Sequence, residues 1–234
     1  MTVPVLTLDG PSGSGKGTIG QTVAVRLGWH YLDSGAVYRA LAHVLSERKI
    51  TDPKDPRVAA VARELDLECR PNLPESAAIW ANGRDVSERI RDEDCGRMAS
   101  KVAAEPAVRA ALLALQRRAR RAPGLVADGR DMGTAVFPDA QLKIYLTASP
   151  KVRAKRRYNQ LKLKGFDVNL ASLSEAIQAR DARDSERPAS PLRTADDAVL
   201  LDTSGLTIEE TVSQVLNLIE TKLVVERVDM TRTH

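Results

Sequence analysis

The chain has 234 residues, 43% of them apolar, enough for one substantial core with an appended lobe but tight for two independent domains. No apolar run approaches the ~20 residues that cross a bilayer, and no basic stretch followed by an apolar core opens the chain, so no membrane partner and a cytoplasmic location are expected. The net charge of +4 invites a nucleic-acid reading, but aromatic residues make up only 3%, too few for stacking platforms, and basic residues interleave with acidic ones, as in Arg180-Asp181-Ala182-Arg183-Asp184. That arrangement suits a compact polyanion better than a long phosphate backbone, and no nucleic-acid partner is expected. Cys69 and Cys95 form no C-x-x-C pair and gather no metal-binding constellation with the scattered histidines, so both are expected as free thiols.

The first strand-like run, Val3–Leu8, leads directly into Gly10, Pro11, Ser12, Gly13, Ser14, Gly15, Lys16, Gly17 and Thr18. Gly, four residues, then Gly-Lys is the spacing of the phosphate-binding loop of nucleoside-triphosphate enzymes. Glycines let successive amides turn inward around an anion, where a Cβ would obstruct them. A helix beginning near Gly15 adds its positive end, and Lys16 adds a mobile charge for the β and γ phosphates. These nine residues are the expected ATP-binding set. Because Gly17 follows Lys16, the hydroxyl comes one place late, and Thr18 is expected to reach Mg²⁺ itself or through water.

A second strand, Trp29–Leu32, ends on Asp33-Ser34-Gly35 and opens a helix over Val37–Glu47. The amides at Ser34 can meet a phosphate at the helix start, and Arg39 lies near enough to take the same phosphate with its fork; the alternative for Arg39 is a surface helix charge. Residues 63–100 break the alternation, and the Asn82-Gly83 pair within them signals a hairpin, so a small, partly β insert is predicted there. After a helix over Ala107–Arg121 and a strand at Leu125–Ala127 comes Asp128-Gly129-Arg130-Asp131. Asp128 closes an apolar strand, where P-loop proteins keep the acidic residue that orients Mg²⁺, often through water; a turn-forming Asp before Gly129 is the alternative. The run Arg117–Arg121 matches no motif and reads as an exposed helix end.

A strand at Leu142–Leu146 precedes a basic helix in 149–168, with Ser149 as N-cap, Pro150 at the first helical position and Gly165 near the end. Its Arg153, Arg156 and Arg157 share one face and suit a mobile lid closing over a triphosphate, or a solvated surface. Ser172-x-x-Glu175 reads as a capping box opening the next helix, on which Arg180, Arg183, Asp184 and Arg187 form one stripe, with Pro188 as the stop. A charged stripe of this kind is often a solvated face. Val199–Leu201 supplies a last strand, Ile208–Leu223 a last helix, and Val225–His234 a tail expected to fray. Strands alternating with helices predict an α/β fold with a five-stranded parallel sheet, ligands gathering at the strands' carboxyl ends.

Several separated motifs give a more specific likeness: Asp9–Thr18; Leu32–Arg39; Asp85–Arg91; Asp128-Gly129-Arg130-Asp131-Met132-Gly133-Thr134 followed by Val136–Ala140; and Arg180–Arg187. In these the chain resembles bacterial cytidylate kinases over nearly its whole length. The resemblance implies a single P-loop kinase domain, three-layered, spanning 1–234, with the insert at 63–100 as part of an acceptor lobe. It implies transfer of the γ-phosphate of ATP, with Mg²⁺, to CMP or dCMP by an enzyme expected as a monomer. It further implies that Ser100, Arg109 and Asp131 read the cytosine edge and that Arg180, Asp184 and Arg187 hold ribose, base and phosphate. With Lys16, the residues expected to act on the transferring group are Arg130, Arg153 and Arg157, and CMP is expected at Ser34, Arg39 and Arg130 as well. A phosphate monoester has a second pKa of about 6, so the acceptor oxygen is already a nucleophile and no general base is needed. Two other readings remain at this point: another P-loop small-molecule kinase, of the shikimate or gluconate type, and a P-loop nucleotide-binding regulator.

Overall fold

Short apolar runs separated by amphipathic ones give, in chain order, β1 (Val5–Asp9), α1 (Lys16–Leu27), β2 (His30–Asp33), α2 (Ser34–Glu47), α3 (Arg57–Glu64), β3 (Leu67–Arg70), β4 (Ala78–Ala81), β5 (Arg84–Asp85), α4 (Glu93–Val102), α5 (Pro106–Arg118), β6 (Leu125–Gly129), β7 (Leu142–Thr147), α6 (Pro150–Leu163), α7 (Leu170–Glu186), β8 (Val199–Asp202) and α8 (Ile208–Thr231). This computed structural model describes residues 2–163, 165, 167–187 and 189–231, as backbone alone at 93 and 223–231. The five-stranded sheet has the order β2-β6-β1-β7-β8. Each of the predicted strand runs is present in it, shifted by one or two residues at one end or both. β1 and β6 are buried at every position, which is why they read as unbroken apolar runs. β8 is an edge strand and departs from that pattern: its burial alternates, and Leu200 is 64% exposed.

The chain divides into two compact units, one of residues 1–5 and 20–129 and the other of 6–19 and 130–234. In the first, β2 and β6 pair in parallel with Asp33 beside Asp128 at their carboxyl ends. Asp33 caps α2, its carboxylate accepting from the amide of Ala36 at 3.0 Å, as a strand-end Asp before a helix should. The predicted hairpin in 63–100 is the β4–β5 turn: Asn82 and Gly83 both take positive φ (49° and 75°), which a two-residue turn between twisted strands demands. With β3 these strands make a separate antiparallel sheet. Trp29 packs its ring against Gly124, where a Cβ would stand 2.3 Å from the indole, and Trp80 lies beneath the Arg70 guanidinium at 5.1 Å. The Arg117–Arg121 run is not simply an exposed helix end. α5 stops at Arg118, and Arg120 Nε donates to the carbonyl of Val3 at 2.8 Å.

In the second unit β1 pairs with β7 and β7 with β8, all parallel. α6 starts as predicted, with Ser149 Oγ accepting from the Val152 amide at 3.4 Å. α7 does not start at the predicted capping box. Asn169 is the cap: its Oδ1 takes the amides of Ala171 (2.8 Å) and Ser172 (3.2 Å), which sets Ser172 inside the first turn. Pro188, the predicted stop, lies outside the described residues, and Arg187 is already extended (φ −60°, ψ 136°). α8 runs past the predicted Leu223 to Thr231; 232–234, the end of the predicted tail, lie outside the described residues.

Candidate active site

The loop after β1 has the backbone that its glycines foretold: Gly10, Gly13 and Gly15 all take positive φ. At Gly10 space also forbids a side chain, because a Cβ would lie 2.0 Å from the carbonyl oxygen of Leu146. Lys16 heads α1, is 5% exposed, and folds back over the loop, its Nζ donating to Pro11 O at 2.8 Å and Ser14 Oγ at 3.3 Å. A buried ammonium beside a glycine loop of positive φ and a helix start suits phosphate charge.

Two arginines of α6 hold that loop. Arg153, which is buried, donates from Nε to Ala148 O (3.0 Å) and from Nη1 to Ser12 O (3.0 Å), and pairs through Nη2 with Asp181 at 2.6 Å. Arg156 reaches Ser14 O (3.3 Å), Thr203 Oγ1 (3.0 Å) and Thr203 O (2.6 Å). The solvated-surface alternative therefore fails for both. Arg157, on the same helix, bonds to Gln160 Oε1 at 2.9 Å.

The turn after β6 carries Arg130 and Asp131, and α7 with the residue that follows it supplies their partners. Arg130 Nε donates to Asp184 Oδ2 at 2.8 Å, and Arg187 Nη2 stands 3.5 Å from Asp131 Oδ1. Burial opposes ionisation of Asp184, but Arg130, Arg180 and Arg187 outweigh it and hold the carboxyl below its ordinary range. The charged stripe of α7 is thus half internal: Asp184 and Arg187 face the turn, while Arg183 is exposed and bonds to Ala179 O. Asp9, which opens the motif Asp9–Thr18 and was given no role of its own, lies against this turn. Its buried carboxylate accepts from the amides of Met132 (2.8 Å) and Gly133 (2.7 Å), and the hint available in sequence was an acid closing an apolar strand next to the loop.

In the first unit Ser34, buried, begins α2, and Arg39 follows on the same helix with Nη1 donating to Ile90 O at 2.9 Å. α4 packs against α2, and Gly96 brings it close: a Cβ there would stand 3.1 Å from Arg39 Nη2. Cys95 Sγ donates to Arg39 O at 3.2 Å, and burial pushes its thiol up to about 11, so it stays protonated. Cys69 is likewise pushed up by burial, to about 12. Ser100 lies on α4, while Arg109, on α5, donates to Ala103 O (3.3 Å) and sits 5.7 Å from the Tyr38 ring centre. Asp128 is buried and accepts from the hydroxyl of Tyr31 at 3.2 Å; burial and then the neighbouring Asp128 raise the phenol's pKa, keeping it a donor.

For a magnesium ion the donor chemistry is informative. Among the described residues no three His, Cys, Asp or Glu side chains gather into a cage. Thr18, exposed in the second unit, and Asp128, buried in the first, each offer the hard oxygen donor that magnesium prefers.

A family model described as cytidylate kinase matches residues 6–221. A cytidylate kinase of Methylococcus capsulatus is 55% identical over 219 residues, covering 94% of this chain and 98% of that protein. One of Chromobacterium violaceum is 54% identical (95% and 98% covered), and one of Nitrosomonas europaea 51% (92% and 95%). Among solved structures, a gluconokinase from Sinorhizobium meliloti 1021 aligns over 99% of this chain and 98% of its own at 14% identity and a TM-score of 0.44, too slight a likeness to bear on function.

Proposed function

The chain belongs to the cytidylate kinase family, and from that premise we propose how its own residues divide the reaction. It is a nucleoside monophosphate kinase, taking a phosphoryl group from ATP to CMP or dCMP and giving ADP with CDP or dCDP. The readings as another small-molecule kinase or a regulator lapse with that membership.

The proposed donor side is the loop from Gly10 to Thr18, with Lys16 neutralising charge on the β and γ phosphates as the bond to the leaving oxygen lengthens. The buried Lys16 Nζ, folded onto the glycine loop at Pro11 O, is the observation that carries this assignment. Arg130 is proposed to bridge the acceptor phosphate and the transferring group, because a planar fork satisfies two oxygens at once and Asp184 fixes its orientation. Arg153 and Arg157 are proposed to act from the lid, Arg153 chiefly by holding Ser12 in place. On the acceptor side, Ser34 and Arg39 are proposed for the CMP phosphate, Ser100, Arg109 and Asp131 for the cytosine edge, and Arg180, Asp184 and Arg187 for the remainder of the nucleotide. Cytosine offers an exocyclic amine where uracil offers an oxygen, so a carboxylate acceptor such as Asp131 discriminates between them. Thr18 and Asp128 would hold Mg²⁺ through water, and the ion would supply charge neutralisation for the phosphates. A cytoplasmic monomer is the proposed working form.

A coupled ADP-release assay over CMP, dCMP, UMP, AMP and GMP tests this function. CMP and dCMP should give the highest kcat/KM; preferential turnover of AMP or GMP would overturn it.

A further inference from the structure

Asp9 has no part in the chemistry proposed above, yet it is among the most enclosed charged groups in the second unit. It closes β1, next to Tyr145 of β7 in the sheet register, and it points at the turn that carries Arg130 and Asp131. Its two oxygens are used separately, Oδ1 by the Met132 amide at 2.8 Å and Oδ2 by the Gly133 amide at 2.7 Å. The same turn is wedged from behind. A Cβ on Gly133 would stand 2.9 Å from Thr7 Oγ1 and 3.0 Å from Lys143 Cδ, and Met132 is buried. Beyond Gly133 the chain closes a π-helical turn, Met132–Val136, with the amides of Ala135 and Val136 on Asp131 O. The turn thus rests on one carboxylate that must accept twice.

We propose that Asp9 is the positioning residue of this turn: ionised, it holds the Met132 and Gly133 amides and with them the place of Arg130 and Asp131; protonated, it surrenders one of the two amides and loosens them. The reason is elementary. A carboxylate accepts at both oxygens, whereas the neutral acid carries a hydrogen on one of them, which then confronts an N–H donor. Charge around the group makes the change reachable near neutrality. Burial pushes the Asp9 carboxyl up to about 6, against the two amide bonds, which lower it; Asp131 of the turn adds to the rise and Lys16 at the head of α1 opposes it. Tyr145 on β7 also feels Asp9. The link to activity, and it alone, rests on the roles proposed for Arg130 and Asp131.

Nitrogen-15 spectra of the whole enzyme without nucleotide, recorded from pH 5 to 8, read the clamp without any substrate phosphate titrating in the same range. The Met132 and Gly133 amides should move together with one midpoint near 6, and that movement should vanish in Asp9→Asn, whose amide nitrogen offers a donor to one of them at every pH. Amides that stay still across the range, or that still titrate in Asp9→Asn, overturn the proposal. At pH 8 with both substrates saturating, Asp9→Asn should lose on the order of a hundredfold in kcat, as for a misplaced catalytic group, with KM for ATP within about twofold; an unchanged kcat overturns the positioning role. If Arg130→Lys proves fully active while the amides titrate as stated, the role given to Arg130 fails and the clamp stands.

Discussion

Arg39 and Arg153 are both helical arginines that sequence patterns mark as anion-seeking, and the two units treat them in opposite ways. Arg39 lies on α2 with its guanidinium against the carbonyl of Ile90 and the bare face of Gly96, neutral partners that orient it. Arg153 is buried on α6 with Asp181 at 2.6 Å and two loop carbonyls on its remaining donors. Its charge is matched on the spot, and three of its five N–H hydrogens go to architecture. The difference teaches that an arginine's type and spacing state what it can bind, while its neighbours decide whether it holds a ligand or holds the binding site.

The contrast can be tested from its strongest consequence downward. Lys16, the second unit's ammonium that faces the loop itself, should dominate: Lys16→Ala is expected to lower kcat about a thousandfold, while equilibrium titration shows CMP binding nearly intact. Comparable turnover at saturating ATP would place the chemistry elsewhere. Next comes a stability effect with a definite sign. A carboxyl raised from 3.8 to about 6 in the folded state favours folding most fully below pH 3.8 and loses that contribution as pH rises through 6. Urea unfolding at pH 4.5 and pH 8 should therefore show native protein losing ground to Asp9→Asn, by most of about 3 kcal/mol, even though native protein is the better catalyst. An identical pH dependence in both would mean that Asp9 ionises normally.

Arg130→Lys should remain about a hundredfold impaired, since a point charge replaces neither the fork nor its bond to Asp184; near-normal rates would reduce Arg130 to net charge. The comparison itself is at stake in Arg39→Ala and Arg153→Ala. The first should raise KM for CMP by about tenfold to a hundredfold, a charged hydrogen bond's worth, with little change in Tm. The second should lower Tm, because Asp181 and the Ser12 carbonyl lose their donor, at about 1–3 kcal/mol. If both variants fail in the same manner, the distinction between ligand-holding and site-holding arginines collapses. The smallest effect is expected for specificity: Asp131→Ala should narrow the CMP-to-UMP ratio of kcat/KM by up to about 1–3 kcal/mol. A parallel loss on both substrates would mean that Asp131 serves Arg187 and the turn alone.

Much of this molecule was determined by sequence because the relevant forces act over a few residues. The glycine spacing around Lys16 dictates an anion cradle, apolar runs bounded by Asp33 and Asp128 give strands with acids at their carboxyl ends, and Asn82-Gly83 dictates a hairpin. Even the local failure at Ser172 was a contest between neighbours, with Asn169 reaching the first-turn amides from the better position. What tertiary structure alone decided is the pairing of charges. Arg130 meets Asp184 across 54 positions, and Asp9 meets Met132 and Gly133 across 123 and 124. No periodicity links residues so far apart. Their meeting follows from parallel strands that deliver distant segments to one edge of the sheet, where burial removes water as a competing partner and makes each carboxylate's choice of donor binding.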